Sequence, residues 1–221
     1  RNTIEHSLAV GNQIAGIMLE LRTTQTLVQH NVVAETRWRA WSGAGILSQA
    51  ASRNAYLHNT LVANEGTGLW LRLDPDRRAD DGSNTVLNNR IVGNAASGEE
   101  AREVSVEGTT LAHVRSNTFD GNLYGVVGGD LLRSTFYLFP VPGEVAGFRS
   151  DDLDGWRRLV EGDRGARLAT SGQRVNAAPL RRLMVGAQRT QPLFADRPGA
   201  DMARVRASGN WADAPRPNRP L

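Results

Sequence analysis

Four asparagines recur at nearly constant spacing in the first half of the chain. They are Asn31, Asn59, Asn89 and Asn117, and the intervals between them are 28, 30 and 28 residues. Each lies in a similar local frame, and Asn2-Thr3-Ile4 supplies a fifth copy 29 residues before the first of them. A fixed period of this length indicates stacked, structurally equivalent units. The sequence therefore predicts a solenoid over residues 1–130.

A second element recurs out of phase with the asparagines. It is a small residue followed by an alternating apolar stretch, as in Gly16-Ile17-Met18-Leu19, Gly45-Ile46-Leu47 and Gly68-Leu69-Trp70-Leu71. Alternation with period two indicates strands, and Asn and Gly supply the residues that tight turns require. Each unit then holds three short strands and three turns. The pattern predicts an all-β right-handed parallel β-helix of about five coils, in which the recurring asparagines stack as a ladder.

The last third of the chain, residues 131–221, departs from this period. Leu131 to Phe139 reads as one more apolar strand, and a helix is predicted over about 151–161. Ser150 is the expected N-cap, because the first turn is acidic and the last turn contains arginines. The remainder, rich in Pro, Asp and Arg, is expected to be an irregular tail that caps the last coil.

Composition excludes several classes of function. The chain has no cysteine, which rules out disulfides, thiolate metal sites and a cysteine nucleophile. All 26 of its Lys and Arg residues are arginine, so no lysine can act as a base. The net charge of +3 and the interleaved charges do not indicate nucleic-acid binding. No apolar run is long enough to span a membrane, and the residues of this chain contain no stretch with the pattern of a signal peptide.

The coil pattern resembles the pectate-lyase-like superfamily of right-handed parallel β-helix proteins. The tail also resembles the C-terminal ends of secreted bacterial members, which carry a Ser-acidic-Trp helix, here Ser150 to Trp156, and a Pro-Leu-Phe-x-Asp segment, here Pro192 to Asp196. The resemblance implies a secreted or periplasmic protein that acts on polysaccharides as a lyase, hydrolase or epimerase. Asp74-Pro75-Asp76 lacks the histidine of the matching epimerase motif, so an epimerase is disfavoured. A shared fold does not determine function.

The strands that follow the small residues are expected to form one sheet with an apolar inner face. The inward residues would be Ile17, Leu19, Ile46, Leu69, Leu71, Val104 and Val126. Two outward columns would then lie side by side, one of Met18, Leu47, Trp70 and Ser105, the other of Glu20, Gln49, Arg72 and Glu107. We take Arg72, Glu20 and Glu107 as candidate catalytic residues. Glu20 and Glu107 lie three coils apart, roughly 14 Å, which is too far for a direct glycosidase pair.

Two long connections, 34–44 and 72–83, are expected to border this face. Variable loops on a regular scaffold are common places for function. Candidate substrate-binding residues are Trp38, Trp41, Trp70, Arg37, Arg39 and Gln49, since indole rings can face sugars and guanidinium groups can bind uronate carboxylates. Asp74, Asp76, Asp80 and Asp81 could hold Ca²⁺ through oxygen ligands. Their spacing is not that of an EF-hand, however, and a solvated charged loop is the favoured explanation.

Three functions remain open at this point. The first is a fragment of a secreted polysaccharide lyase or glycosidase that acts on an acidic glycan, the second a non-catalytic glycan-binding or adhesive β-helix, and the third a structural solenoid. Arg1-Asn2-Thr3-Ile4 already lies inside the repeat. The first coil is therefore expected to be covered either by upstream coils of the same protein or by self-association at its open strand edges.

Overall fold

The computed structural model of this chain describes residues 2–38, 42–72, 82–94, 102–125, 134–141 and 143–169. These residues wind into five successive coils of three strands each. Coil 1 contains β1 (Asn2–Glu5), β2 (Leu8–Val10) and β3 (Ile14–Glu20); coil 2 contains β4 (Thr26–Gln29), β5 (Val32–Ala34) and β6 (Gly43–Gln49); coil 3 contains β7 (Ala55–Leu57), β8 (Thr60–Val62) and β9 (Leu69–Arg72); coil 4 contains β10 (Thr85–Leu87), β11 (Arg90–Val92) and β12 (Arg102–Val106); coil 5 contains β13 (Thr118–Asp120), β14 (Leu123–Tyr124) and β15 (Ser134–Leu138).

Equivalent strands of successive coils pair in parallel and form three sheets. The first sheet runs β1-β4-β7-β10-β13, the second contains β2-β5-β8-β11-β14, and the third contains β3-β6-β9-β12-β15. Because every strand returns one coil later beside its equivalent, the architecture is the right-handed parallel β-helix that the period predicts. The coil number agrees with the prediction of about five.

The inward-facing apolar residues fill the space between the three sheets. Ile17, Leu19, Ile46, Leu69, Leu71 and Val104 all belong to one buried cluster, as predicted, whereas Val126 lies outside the described residues. Tyr56 reaches the same interior, and its hydroxyl donates to Ser48 Oγ over 2.6 Å. Each fully buried aliphatic or aromatic side chain of this kind stabilises the fold by about 1.5–3 kcal/mol. Stacked core residues therefore hold the coils together without disulfides.

Amide side chains form a separate ladder at each of the three corners. The first ladder, between the first and second sheets, joins Asn31, Asn59, Asn89 and Asn122; the second joins Asn54, Asn84 and Asn117; the third joins Asn64 and Asn94. In the first ladder each Nδ2 donates to the Oδ1 of the next coil, and each Oδ1 also accepts the backbone N–H of the preceding asparagine. The side chains thus replace backbone bonds that sharp turns cannot make.

The prediction that Asn117 continues the column of Asn31, Asn59 and Asn89 is wrong. Asn117 pairs with Asn84 in the second ladder, and Asn122 takes the fourth place in the first. The short helix α1 (Leu111–Arg115) lengthens coil 4, so equivalent asparagines are 33 residues apart there rather than about 30. Asn2 is also displaced from its predicted place, because it pairs with Thr26 in the first sheet while Ser7 N donates to Asn31 Oδ1.

The C-terminal end of the coils is covered by three further elements. Strand β16 (Phe148–Ser150) pairs antiparallel with β15, helix α2 (Leu153–Val160) follows it, and β17 (Arg167–Leu168) pairs with β14. The N-cap of α2 is Asp152, whose side chain accepts from Asp154 N, and not Ser150 as predicted. Ser150 lies two residues before this N-cap, and its Oγ accepts from Asp152 N.

Helix α2 closes the core by inserting an aromatic ring. Trp156 is fully buried, stacks on Phe136 with 5.0 Å between ring centroids, and meets Phe119 edge-on at 5.4 Å. Its indole Nε1 donates to Asp163 Oδ2 over 3.1 Å. The last coil is therefore sealed by an apolar ring whose one polar atom is satisfied.

Candidate functional site

The third sheet aligns its outward residues in the two predicted columns. Met18 pairs with Leu47, Leu47 with Trp70, Trp70 with Ser105, and Ser105 with Tyr137. In the neighbouring column Glu20 pairs with Gln49 and Gln49 with Arg72, and Glu107 follows β12 one coil above Arg72. The first column is not exposed to solvent along its whole length, because Leu47 is fully buried and Ser105 is 2% exposed.

Trp70, Arg72, Glu107 and Gln49 form a polar cluster on this face. Trp70 Nε1 donates to Glu107 Oε1 over 2.9 Å, and Arg72 Nε lies 3.9 Å from the same oxygen. Arg72 also donates to Gln49 Oε1 over 3.4 Å, and its guanidinium lies 5.2 Å from the centroid of the Trp70 ring. Three neighbours from three coils thus fix the direction of one guanidinium group.

An aromatic cleft lies beside this cluster. Its lining residues are Trp38, Ser42, Thr67, Trp70, Ser105, Tyr137 and Phe139. Phe139 is parallel to Trp70, with an interplanar angle of 3° and 6.2 Å between ring centroids, and it meets Tyr137 edge-on at 4.5 Å. The space between these rings has room for about one water molecule, and the four aromatic side chains are half-buried. The cleft is therefore narrow, and a ligand would rest on the edges of the rings rather than enter between them.

Two arginines at the C-terminal edge of the cleft contact Tyr137. The guanidinium carbons of Arg102 and Arg149 lie 4.5 and 5.1 Å from the centroid of its ring. Arg102 is buried, whereas Arg149 is exposed. These contacts hold the Tyr137 ring in place through cation–π attraction. They also add positive charge to an otherwise aromatic surface.

Sequence reasoning missed part of this site. The sequence placed Tyr137 and Phe139 in one apolar strand and did not assign them to a site. They alternate with the buried Leu138, and this alternation is the signal that identifies them as outward residues. Trp38 and Trp70, from the predicted set, do meet in the cleft. Arg37 is exposed and pairs with Gln13 through the backbone, so no described contact brings it to the cleft. Arg39, Trp41 and the proposed Ca²⁺ ligands Asp74, Asp76, Asp80 and Asp81 lie outside the described residues.

A column of histidines occupies a different corner, beside the first ladder. His30 stacks on His58 with 5.1 Å between ring centroids and an interplanar angle of 3°, and His6 stacks on His30 at 5.4 Å and 11°. Because His30 and His58 directly precede Asn31 and Asn59, their spacing in the sequence predicts that these two stack and that His6 does not; the prediction for the pair is confirmed, and that for His6 is wrong. All three residues have φ between 52° and 54°, and Asn88 continues the column with φ 54°.

Stacked coils, amide ladders and an aromatic face define a parallel β-helix protein. Residues 1–124 match the model of the NosD family, described as a periplasmic copper-binding protein. This match covers more than half of the chain, which therefore belongs to the NosD family. The family description supports a location outside the cytoplasm, in the periplasm or beyond it. Searches of curated proteins and of solved structures found no significant match.

The described residues do not fit a copper centre. Copper is bound by thiolate, thioether or imidazole ligands, whose lone pairs must converge on one ion. The chain has no cysteine, and three of its four histidines are the parallel rings of the column. Met18, the methionine within the described residues, lies on β3 in another sheet and is exposed. Parallel imidazoles about 5 Å apart direct their in-plane lone pairs along separate lines. His113 belongs to α1 at another corner, and the described part of the chain contains no group of three or more His, Cys, Asp or Glu side chains that could hold a metal.

None of the helices in the described part of the chain has the length and apolar character that crossing a bilayer requires.

Proposed function

We propose that this protein binds a carbohydrate chain, with a preference for acidic sugars, on the outer face of its third sheet. The observation that carries the proposal is the aromatic cleft together with the oriented Arg72. Sugar rings have flat C–H faces that pack on aromatic side chains, and the half-buried rings of Trp38, Trp70, Tyr137 and Phe139 lie together on this face.

Arg72 supplies the preference for acidic sugars in this proposal. A guanidinium group can bind a carboxylate through two parallel charge-assisted hydrogen bonds. Gln49 and Glu107 direct Arg72 along the sheet beside Trp70, so a uronate whose ring lies on the aromatic surface would bring its carboxylate towards the guanidinium. Glu107 partly offsets the charge of Arg72, which keeps the surface selective rather than generally attractive to anions.

The same geometry favours binding over hydrolysis at the described residues. Glycosidase carboxylates lie about 5–10 Å apart, depending on whether the enzyme retains or inverts the configuration. Glu20 and Glu107 lie three coils apart, which at about 4.8 Å per coil separates them by about 14 Å. A lyase would need a base; Arg72 keeps its proton at ordinary pH, and the Glu107 carboxylate accepts from Trp70 Nε1 and lies 3.9 Å from Arg72 Nε, so both of its neighbours stabilise it as an anion rather than as a proton acceptor. Binding is therefore the function that these side chains support best.

The direct test is calorimetric titration of the full chain with oligouronates and with neutral oligosaccharides of equal length. Trp70→Ala should weaken binding of both ligand classes about tenfold. Arg72→Ala should weaken binding of oligouronates about tenfold or more, since a hydrogen bond to a charged group contributes about 1.5–3 kcal/mol, and should leave neutral ligands unchanged.

Arg115→Ala is the matched control, because Arg115 forms a salt bridge with Glu161 next to α2 and does not line the cleft. Wild-type protein that binds neither ligand class would contradict the proposal. Formation of unsaturated sugar ends during the titration would indicate lyase activity rather than simple binding. Loss of that activity in Arg72→Ala would assign the activity to this face.

A further inference from the structure

The third sheet continues beyond the five coils by one antiparallel strand. Strand β16 pairs with β15, and the register places Arg149 beside Tyr137. Tyr137 points outward, because its neighbours Phe136 and Leu138 are both buried in the core. Arg149 therefore adds one more position to the outward column of Met18, Leu47, Trp70, Ser105 and Tyr137. Arg149 is exposed, so this column ends in a guanidinium group that faces solvent.

This end of the face offers a ligand charge rather than a ring surface. The guanidinium carbons of Arg102 and Arg149 lie 4.5 and 5.1 Å from the centroid of the Tyr137 ring, where a sugar would otherwise pack. The Asp151 carboxylate, two residues after Arg149, accepts from the backbone N and the Oγ1 of Thr135 and so already has partners. The exposed Arg149 thus presents a positive charge that fits an anionic group of a ligand.

Arg149 and Arg72 lie towards opposite ends of the aromatic cleft. Arg72 belongs to β9, and β16 is three strands further along the third sheet. At about 4.8 Å per strand, the two residues are separated by about 14 Å across the sheet. Arg72 also lies two residues beyond Trp70, whose column contains Arg149, which adds an offset of about 6.6 Å along the strands. The two Cα atoms are therefore about 16 Å apart.

A glycan that crosses the strands would reach both arginines. One pyranose unit advances such a chain by about the rise of one coil, so this separation corresponds to about three sugar units. We propose that Arg149 is a second carboxylate-binding residue of this face, and that the ligand is an oligouronate of at least about four units that runs along the axis of the β-helix. This inference rests on the proposed function, because it requires that Arg72 binds one uronate of the same chain.

The test is calorimetric titration of the full chain with oligouronates of increasing length, from the dimer to the hexamer. Arg149→Ala should weaken binding of the tetramer and the hexamer about tenfold, as expected for the loss of a hydrogen-bonded charged group. It should leave the dimer unchanged, because a dimer held at Arg72 cannot reach β16. Arg72→Ala should weaken binding at every length.

Arg158→Ala is the matched control, because Arg158 is exposed at the same end of the protein but belongs to α2, where it pairs with Asp152. Equal losses in Arg149→Ala and Arg158→Ala, or an equal loss for dimer and hexamer in Arg149→Ala, would overturn the inference. Unchanged hexamer binding in Arg149→Ala, with weakened binding in Arg72→Ala, would refute this inference and leave the proposed function standing. Wild-type protein that binds no oligouronate would refute both.

Discussion

The first ladder allows one substitution to be assessed in detail, namely Asn59→Ala. The Asn59 side chain is fully buried and makes four hydrogen bonds: to Val28 O at 2.9 Å, to Asn89 Oδ1 at 3.0 Å, and from the backbone N and the Nδ2 of Asn31 at 3.1 and 3.0 Å. A buried polar group left without its partner costs about 1–3 kcal/mol, and such costs are not additive. We expect the free energy of unfolding to fall by about 4 kcal/mol.

The measurement is urea unfolding of wild type and variants by circular dichroism, with the slope m compared to check that all unfold alike. Asn2→Ala is the matched control, because Asn2 is exposed on β1 and should change stability by less than about 0.5 kcal/mol. Asn59→Asp should lose at least as much as Asn59→Ala, since a carboxylate would then face the acceptors Val28 O and Asn89 Oδ1. A loss below about 1 kcal/mol for Asn59→Ala would refute the reasoning.

Two further substitutions test other parts of the fold. Burial lowers the pKa of His58 below its ordinary 6.5, so the free energy of unfolding should decrease as pH falls below 6.5. His58→Asn, which places in this column the same residue type as Asn88, should remove that decrease in unfolding experiments at pH 7 and pH 5. A variant that loses as much stability as wild type between these pH values would contradict the assignment of the effect to His58. Gly125→Ala should destabilise the fold by about 1–3 kcal/mol, because the added methyl group would lie 2.3 Å from Glu103 Oε1 and 2.9 Å from Gly93 N. Thermal unfolding measures this loss, and a midpoint equal to that of wild type would contradict tight packing at this corner.

The sequence predicted the class of fold because stacking imposes a period on every coil. Strand alternation then identified the inward residues Ile46, Leu69 and Val104, all of which are buried. The register was harder to predict, because asparagines occupy all three corners and follow one another at five-residue intervals, as in Asn54, Asn59 and Asn64. Once α1 lengthened coil 4, counting residues matched Asn117 to the wrong corner.

The candidate site was predictable only in the part built by regular strands. The column of Gln49, Arg72 and Glu107 follows from alternation and register. Trp38 and Phe139 reach the cleft from segments beyond strand ends, where the pattern of side-chain directions stops. Glu103 accepts from Asn94 Nδ2 and so continues the third ladder. The sequence could not identify it as a ladder residue, because it is nine residues from Asn94 and not one coil away.

The most direct test of the cleft as a carbohydrate-binding face is an NMR titration that follows the tryptophan indole N–H signals. The full chain is titrated with the oligouronate that binds best in calorimetry. We predict that the signals of Trp38 and Trp70 shift with the calorimetric affinity, while that of Trp156, which is fully buried beneath α2 and donates to Asp163, stays in place. Saturable binding that leaves both Trp38 and Trp70 unchanged would show that the ligand occupies another surface and would contradict the proposed function.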